Sequence, residues 1–116
     1  MPITERQLVM YGMIITADRS VEIVEFDEAD TYNTLRSAVE GLIECVYLSN
    51  LDVDMWINEE GKLNGSSLNE FATMLYMDEY GASDLIFGNV ILTGTADEEG
   101  NTTTLTREHL NRLINQ

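Results

Sequence analysis

Residues 52–69 read DVDMWINEEGKLNGSSLN, and three kinds of local structure follow one another within them. Val53, Met55 and Ile57 alternate with Asp54 and Trp56, the period-two pattern of a strand. Asn58-Glu59-Glu60-Gly61 then reads as a turn. Gly61 supplies a left-handed residue, and Asn58 and Asn64 can bond the turn backbone. Ser67, with Glu70 three residues later, has the spacing of a capping box, so the spacing predicts a helix over residues 68–79. Phe71, Ala72, Leu75 and Tyr76 form its apolar stripe, and Gly81 closes it.

Outward from this stretch the same alternation continues. Residues 8–16 (LVMYGMIIT) and 21–26 (VEIVEF) are strand runs joined by Asp18-Arg19-Ser20, a hairpin signal. Gly12 marks a bulge or a close backbone approach. Tyr32, Leu35, Val39 and Leu42 recur at helical spacing, with Asp30 or Thr31 as the cap and Gly41 as the stop. Residues 43–48 (IECVYL) form the next strand. Residues 85–94 (LIFGNVILTG) form a strongly apolar one whose Gly88-Asn89 reads as a bulge. Thr106 caps a last helix in which Leu110, Leu113 and Ile114 face the core. The order ββαββαβα predicts an α+β fold. It is a mostly antiparallel sheet of about five strands, with two main helices and a short C-terminal helix on one face.

The chain has 116 residues, read as a single acidic α+β domain spanning 1–116. Hydrophobic residues are 44%, enough apolar surface to offset chain entropy. Asp and Glu number 21 against 6 Lys and Arg, a net charge of −15. So few cations cannot displace the counterions of nucleic acid, so no direct nucleic-acid contact is expected. An anionic membrane surface is excluded for the same reason. A basic protein surface, such as that of a DNA-binding protein, is the partner this charge selects. The apolar N-terminal run is short and is interrupted by Tyr11 and Gly12. No export signal or membrane span is read, and a cytoplasmic location is expected.

Chemistry is sparse. Cys45 lies in a strand-like run and reads as a small buried hydrophobe. His109 is the only base for a catalytic thiol. One Cys and one His cannot make a zinc site. Asp97, Glu99 and Asn101 fill the first, third and fifth places of a calcium loop, but Thr102 stands where the sharp turn needs glycine. Gly61-Lys62 lacks the flanking residues of a phosphate loop. Starting a calcium loop at Asp52 fails, because Trp56 and Ile57 occupy the fifth and sixth places. The sequence therefore points to no catalytic residue, no metal and no cofactor. The expectation is a protein that is not an enzyme. Trp56, on the strand face it shares with Asp54, is a possible aromatic contact for a cationic partner.

Asn58-Glu59-Glu60-Gly61-Lys62-Leu63-Asn64-Gly65, then Asn69 and Ala72-Thr73, resembles a domain-of-unknown-function family (family 3846) of small acidic proteins from bacteria, phages and mobile elements. The strand at residues 86–94 and the turn Asp97-Glu98-Glu99-Gly100 are similar to the family's too, and the likeness covers residues 13–110. The chain departs from the pattern at Glu40, where a second glycine is usual, and at Ser66-Ser67, where the family often has Leu-Pro. The resemblance implies no activity. It implies a phage or mobile-element context, and with it interference with a host function. The expected role is an acidic binding protein, in its narrowest form a DNA mimic that inhibits a nuclease, restriction enzyme or other DNA-binding protein. Its candidate acidic surface is Glu22, Glu25, Asp27, Glu28, Asp30, Asp52, Asp54, Glu59, Glu60, Asp97, Glu98 and Glu99. The alternative is a small ligand-binding or assembly domain in which residues 58–69 shape a pocket and the acidity is incidental.

Overall fold

Two hairpins and a lone strand between them make one sheet. The computed structural model describes residues 8–115. They form β1 (Val9–Ile15), β2 (Val21–Asp27), α1 (Thr31–Val39), β3 (Ile43–Leu48), β4 (Val53–Asn58), α2 (Glu70–Tyr80), β5 (Val90–Gly94) and α3 (Arg107–Ile114). A single 3₁₀ turn at Glu28–Asp30 leads into α1. The α+β class and the order ββαββαβα are those expected. The spatial order is β2-β1-β5-β4-β3, with every neighbouring pair antiparallel. β5 is central because it is apolar on both alternations. Val90, Ile91 and Leu92 are all 0% exposed, and full burial of each such side chain is worth about 1.5–3 kcal/mol.

The helices divide between the two faces, which corrects the expectation of one face. α2 and α3 bring Ala72, Leu75 and Leu113 onto Met13, Ile15, Val53, Met55, Val90 and Leu92. α1 brings Leu35, Ala38 and Val39 onto the opposite face, against Ile14, Ile91, Ile43 and Trp56. The reason lies in the inner strands. Ile14, Ile91 and Trp56 are direct cross-strand neighbours and form a second apolar face that needs its own cover.

Local details also differ from the expectations. Neither Asp30 nor Thr31 caps α1: the Asp30 side chain makes no capping bond, and the Thr31 hydroxyl donates to Glu28 O at 2.7 Å. The helix stops at Glu40, a left-handed residue with φ 63°, whose N–H reaches Arg36 O at 2.8 Å. Gly41 serves a different need, since a Cβ there would lie 2.6 Å from Asn58 Nδ2. Leu42 and Ile114, expected to be core residues, are exposed. α2 starts at Glu70 with Asn69, not Ser67, as its cap. Asn69 is fully buried, and its Oδ1 accepts from Ala72 N at 3.0 Å. Its Nδ2 donates to Ile15 O at 3.0 Å and to Gly88 O at 2.9 Å. Ser67 instead pairs its backbone with Gly88. Gly61 does not adopt a left-handed conformation. Its lack of a side chain lets the backbone pass Phe87 O, which a Cβ would meet at 2.7 Å.

Candidate functional site

The sheet order decides which carboxylates meet. At one end of the sheet β2 and β5 finish and β1 and β4 begin. Asp27 ends β2 there and Glu28 and Asp30 follow it, Asp97, Glu98 and Glu99 follow β5, and Asp52 precedes β4. The loop after β5 and the turn after β2 are neighbours, because Gly100 and Asn101 share a shallow hollow with Glu28 and Thr31. Two of these acids are fixed by local bonds. Asp27 Oδ1 accepts from Ala29 N at 3.1 Å, and Asp97 Oδ1 accepts from Glu99 N and Asn101 N, both at 2.9 Å. Glu59 and Glu60 lie at the far end of the sheet, after β4. Glu22 and Glu25 lie along β2, on opposite faces, and Tyr11 Oη donates to Glu25 at 3.1 Å.

Asp54 does not join the acidic surface. It is 8% exposed, because the alternation that turns Met55 to one core turns Asp54 and Trp56 to the other face. Burial holds its carboxyl above the ordinary range, opposed in part by the Cys45 thiol, with Asp52 adding to the rise. Trp56 is partly buried under α1, and its Nε1 donates to Thr93 Oγ1 at 2.9 Å. Its N–H is thus committed within the fold.

Cys45 is exposed, not the buried residue expected. Its thiol is nevertheless pushed up to about 12, first by partial burial and then by Asp54. A thiol so poorly ionised is a weak nucleophile. His109 is no partner for it, because its ring is engaged elsewhere. Nδ1 accepts from Thr106 N at 2.9 Å while Thr106 Oγ1 accepts from His109 N, a reciprocal cap of α3. Its Nε2 lies 3.8 Å from Asp52.

The expected turn at residues 58–61 borders a cleft of 470 Å³. Tyr47, Tyr76 and Tyr80 line it with Glu44, Glu59 and Glu60. Tyr76 and Tyr80 have ring centroids 4.9 Å apart. Lys62 forms an ion pair with Asp84 at its rim. Asn58 is structural there: Nδ2 donates to Val39 O at 3.0 Å, and Oδ1 accepts from Glu60 N at 2.8 Å. The tyrosines came from an expected helix and an expected strand, but nothing in their spacing announced that they converge.

No group of three or more His, Cys, Asp or Glu among the described residues is arranged to hold a metal ion. Among them, no helix is long and apolar enough to cross a membrane. Neither a curated protein nor a solved structure matches the sequence. One family model does match, that of a domain of unknown function (DUF3846), over residues 10–116, and the chain belongs to that family.

Proposed function

We propose that the protein is a non-enzymatic acidic binding protein, encoded by a phage or mobile element, that docks its carboxylates on a basic surface of a host protein. The observation that carries this reading is the acidic band at one end of the sheet. It runs from the end of β2 to the start of β4, three strand spacings or about 14 Å. Duplex DNA of that length presents about eight charges, and the band holds Asp27, Glu28, Asp30, Asp52, Asp97, Glu98 and Glu99. Among the described residues none of these is paired with a Lys or Arg, and only Asp52 lies near a ring nitrogen, 3.8 Å from His109 Nε2. Three of the protein's cations pair with carboxylates outside the band, as Arg19–Glu70, Lys62–Asp84 and Arg112–Glu108. A DNA mimic acting on a nuclease, restriction enzyme or other DNA-binding protein is the narrow form of the proposal.

The test is capture from host lysate with the immobilised protein, beside a variant carrying Asp97→Asn, Glu98→Gln and Glu99→Gln. The expected result is a basic protein held by the wild type alone. It is released as salt rises from about 0.1 to about 1 M, where the screening length falls from about 10 to about 3 Å. Retention that ignores both salt and the triple substitution overturns the reading.

The tyrosine-lined cleft favours a second reading, a site for a small organic cation held by aromatic faces and Glu59 and Glu60. Under it, the Asp97, Glu98 and Glu99 substitutions leave binding intact and Glu59→Gln with Glu60→Gln weakens it.

A further inference from the structure

β2 is an edge strand whose outer side carries no neighbouring strand among the described residues. Its ladder with β1 is unbroken from Val9↔Asp27 to Ile15↔Val21. The bonds Thr16 N to Ser20 O and Glu28 N to Leu8 O bracket that ladder. Antiparallel alternation then turns the backbone groups of Glu22, Val24 and Phe26 toward β1. Those of Val21, Ile23 and Glu25 point away from the sheet. None of these three has a backbone hydrogen-bond partner on that side among the described residues. The other edge, β3, is partly closed, because Tyr80 Oη donates to Tyr47 O at 2.5 Å.

Sheet edges are normally protected by proline, a bulge, shortness, a cover or charge. β2 is seven residues long, carries no proline and no bulge, and among the described residues charge is its protection. Glu22 points to one face of the sheet, and Glu25 and Asp27 to the other. A second copy of the same strand would bring a second Glu22, Glu25 and Asp27 to the same seam, with Glu25 diagonal to Glu25, and this like-charge crowding is unfavourable. Val21 and Ile23 are 51% and 46% exposed, and they continue an apolar patch with Val9 and Tyr11 that α2 and α3 leave uncovered. The complement is therefore an extended segment with apolar residues against Val21 and Ile23 and cations against Glu22, Glu25 and Asp27.

We propose that β2 accepts a cationic extended segment of a partner protein as a sixth strand of the sheet. Main-chain bonds to Val21, Ile23 and Glu25 would supply affinity, and the alternating side chains would supply selectivity. The proposal rests on the basic-partner reading above and adds where, and in what conformation, such a partner binds.

The probe is the labelled peptide Lys-Val-Lys-Val-Ile-Lys-Val, which matches β2 in antiparallel register, with a Glu-for-Lys version as control. Binding is followed by fluorescence anisotropy against salt, and amide hydrogen exchange is mapped by NMR. At a peptide concentration ten times its Kd, exchange at Val21, Ile23 and Glu25 should slow about tenfold. Ile23→Pro removes one outward N–H at a place where an edge strand tolerates proline, and is expected to weaken binding about tenfold. Should that variant fail to fold, the exchange map of the wild type decides alone. Slowed exchange at these three amides with salt-sensitive affinity supports the proposal. Salt-sensitive binding with protection elsewhere overturns strand addition and leaves the basic-partner reading standing. No binding, or equal binding of the Glu-for-Lys peptide, also overturns it.

Discussion

Asn69→Ala is the substitution that most directly probes the fold. Asn69 is 0% exposed and makes three side-chain bonds to three different parts of the chain. Losing the cap on Ala72 N costs about 1 kcal/mol. Ile15 O and Gly88 O each lose a donor, and an unsatisfied buried carbonyl costs about 1–3 kcal/mol. The sum is about 3–7 kcal/mol, a large part of the 5–15 kcal/mol typical of a domain. In urea, with a slope of about 2 kcal/mol/M, the unfolding midpoint should fall by about 1.5–3.5 M. Ser67→Ala should change stability by less than about 0.5 kcal/mol, because the Ser67 side chain caps nothing. Asn69→Asp separates the three bonds. It keeps the acceptor for Ala72 N but turns a charged oxygen toward two carbonyls. It should be less stable than Asn69→Ala at pH 7 and recover as the pH falls and the carboxyl is protonated. A loss below about 1 kcal/mol for Asn69→Ala, or an equal loss for Ser67→Ala, would refute the account of the α2 start.

Three other perturbations follow from single contacts. Gly61→Ala places a methyl 2.7 Å from Phe87 O, and this overpacking against backbone should lower stability by about 1–3 kcal/mol in the same assay. Glu40→Gly relieves a left-handed residue and should raise Tm by about 4 °C in a calorimetric scan, equivalent to about 1 kcal/mol. Burial holds the Asp54 carboxyl above its ordinary range, so the folded state binds more protons than the unfolded chain. The resulting stability is present below the unfolded carboxylate range and is lost as pH rises through the folded pKa. Asp54→Asn should therefore exceed the wild type in Tm at pH 7 and flatten the decline between acid and neutral pH. An unchanged slope would count against the cause assigned to that shift.

Elements whose information is local were legible in the sequence. The alternation over residues 53–57 and the apolar run 90–92 set strands whatever lies around them, and Thr106 capped α3 as read. What failed depended on distant residues. Ser67 and Glu70 have the spacing of a cap, but Asn69 wins because it also reaches Ile15 O and Gly88 O, partners far along the chain. A glycine serves either for its backbone freedom or for its lack of a side chain. Only the position of Phe87 shows that Gly61 is there for the second reason. Of the expected α1 stripe Leu35 and Val39 are buried while Tyr32 and Leu42 are exposed, and the face the helix covers was not readable. The acidity was plain from composition. Which acids share an end was not, because β5 inserts between the two hairpins and carries the loop at residues 97–99 beside the end of β2.

The turn at residues 97–100 is the one part of the family likeness that lies in the acidic band. Two other segments that carry the likeness, residues 58–69 and 86–94, are bound to each other. Leu68 bridges Phe87, Asn69 N donates to Ile86 O at 2.8 Å, Gly88 N donates to Ser67 O at 2.8 Å, and Gly61 packs under Phe87. They form one joint that fixes the start of α2 against the approach to β5. Such a joint demands particular residues at particular places, since a side chain at Gly61 or a lost amide at Asn69 opens it. The acidic band and the outer side of β2 bear on none of these contacts. Neutralising Asp97, Glu98 and Glu99, or blocking the edge at Ile23, therefore leaves the joint in place. Binding and folding can be perturbed separately, and a loss of binding in those variants reports on the surface rather than on the stability of the domain.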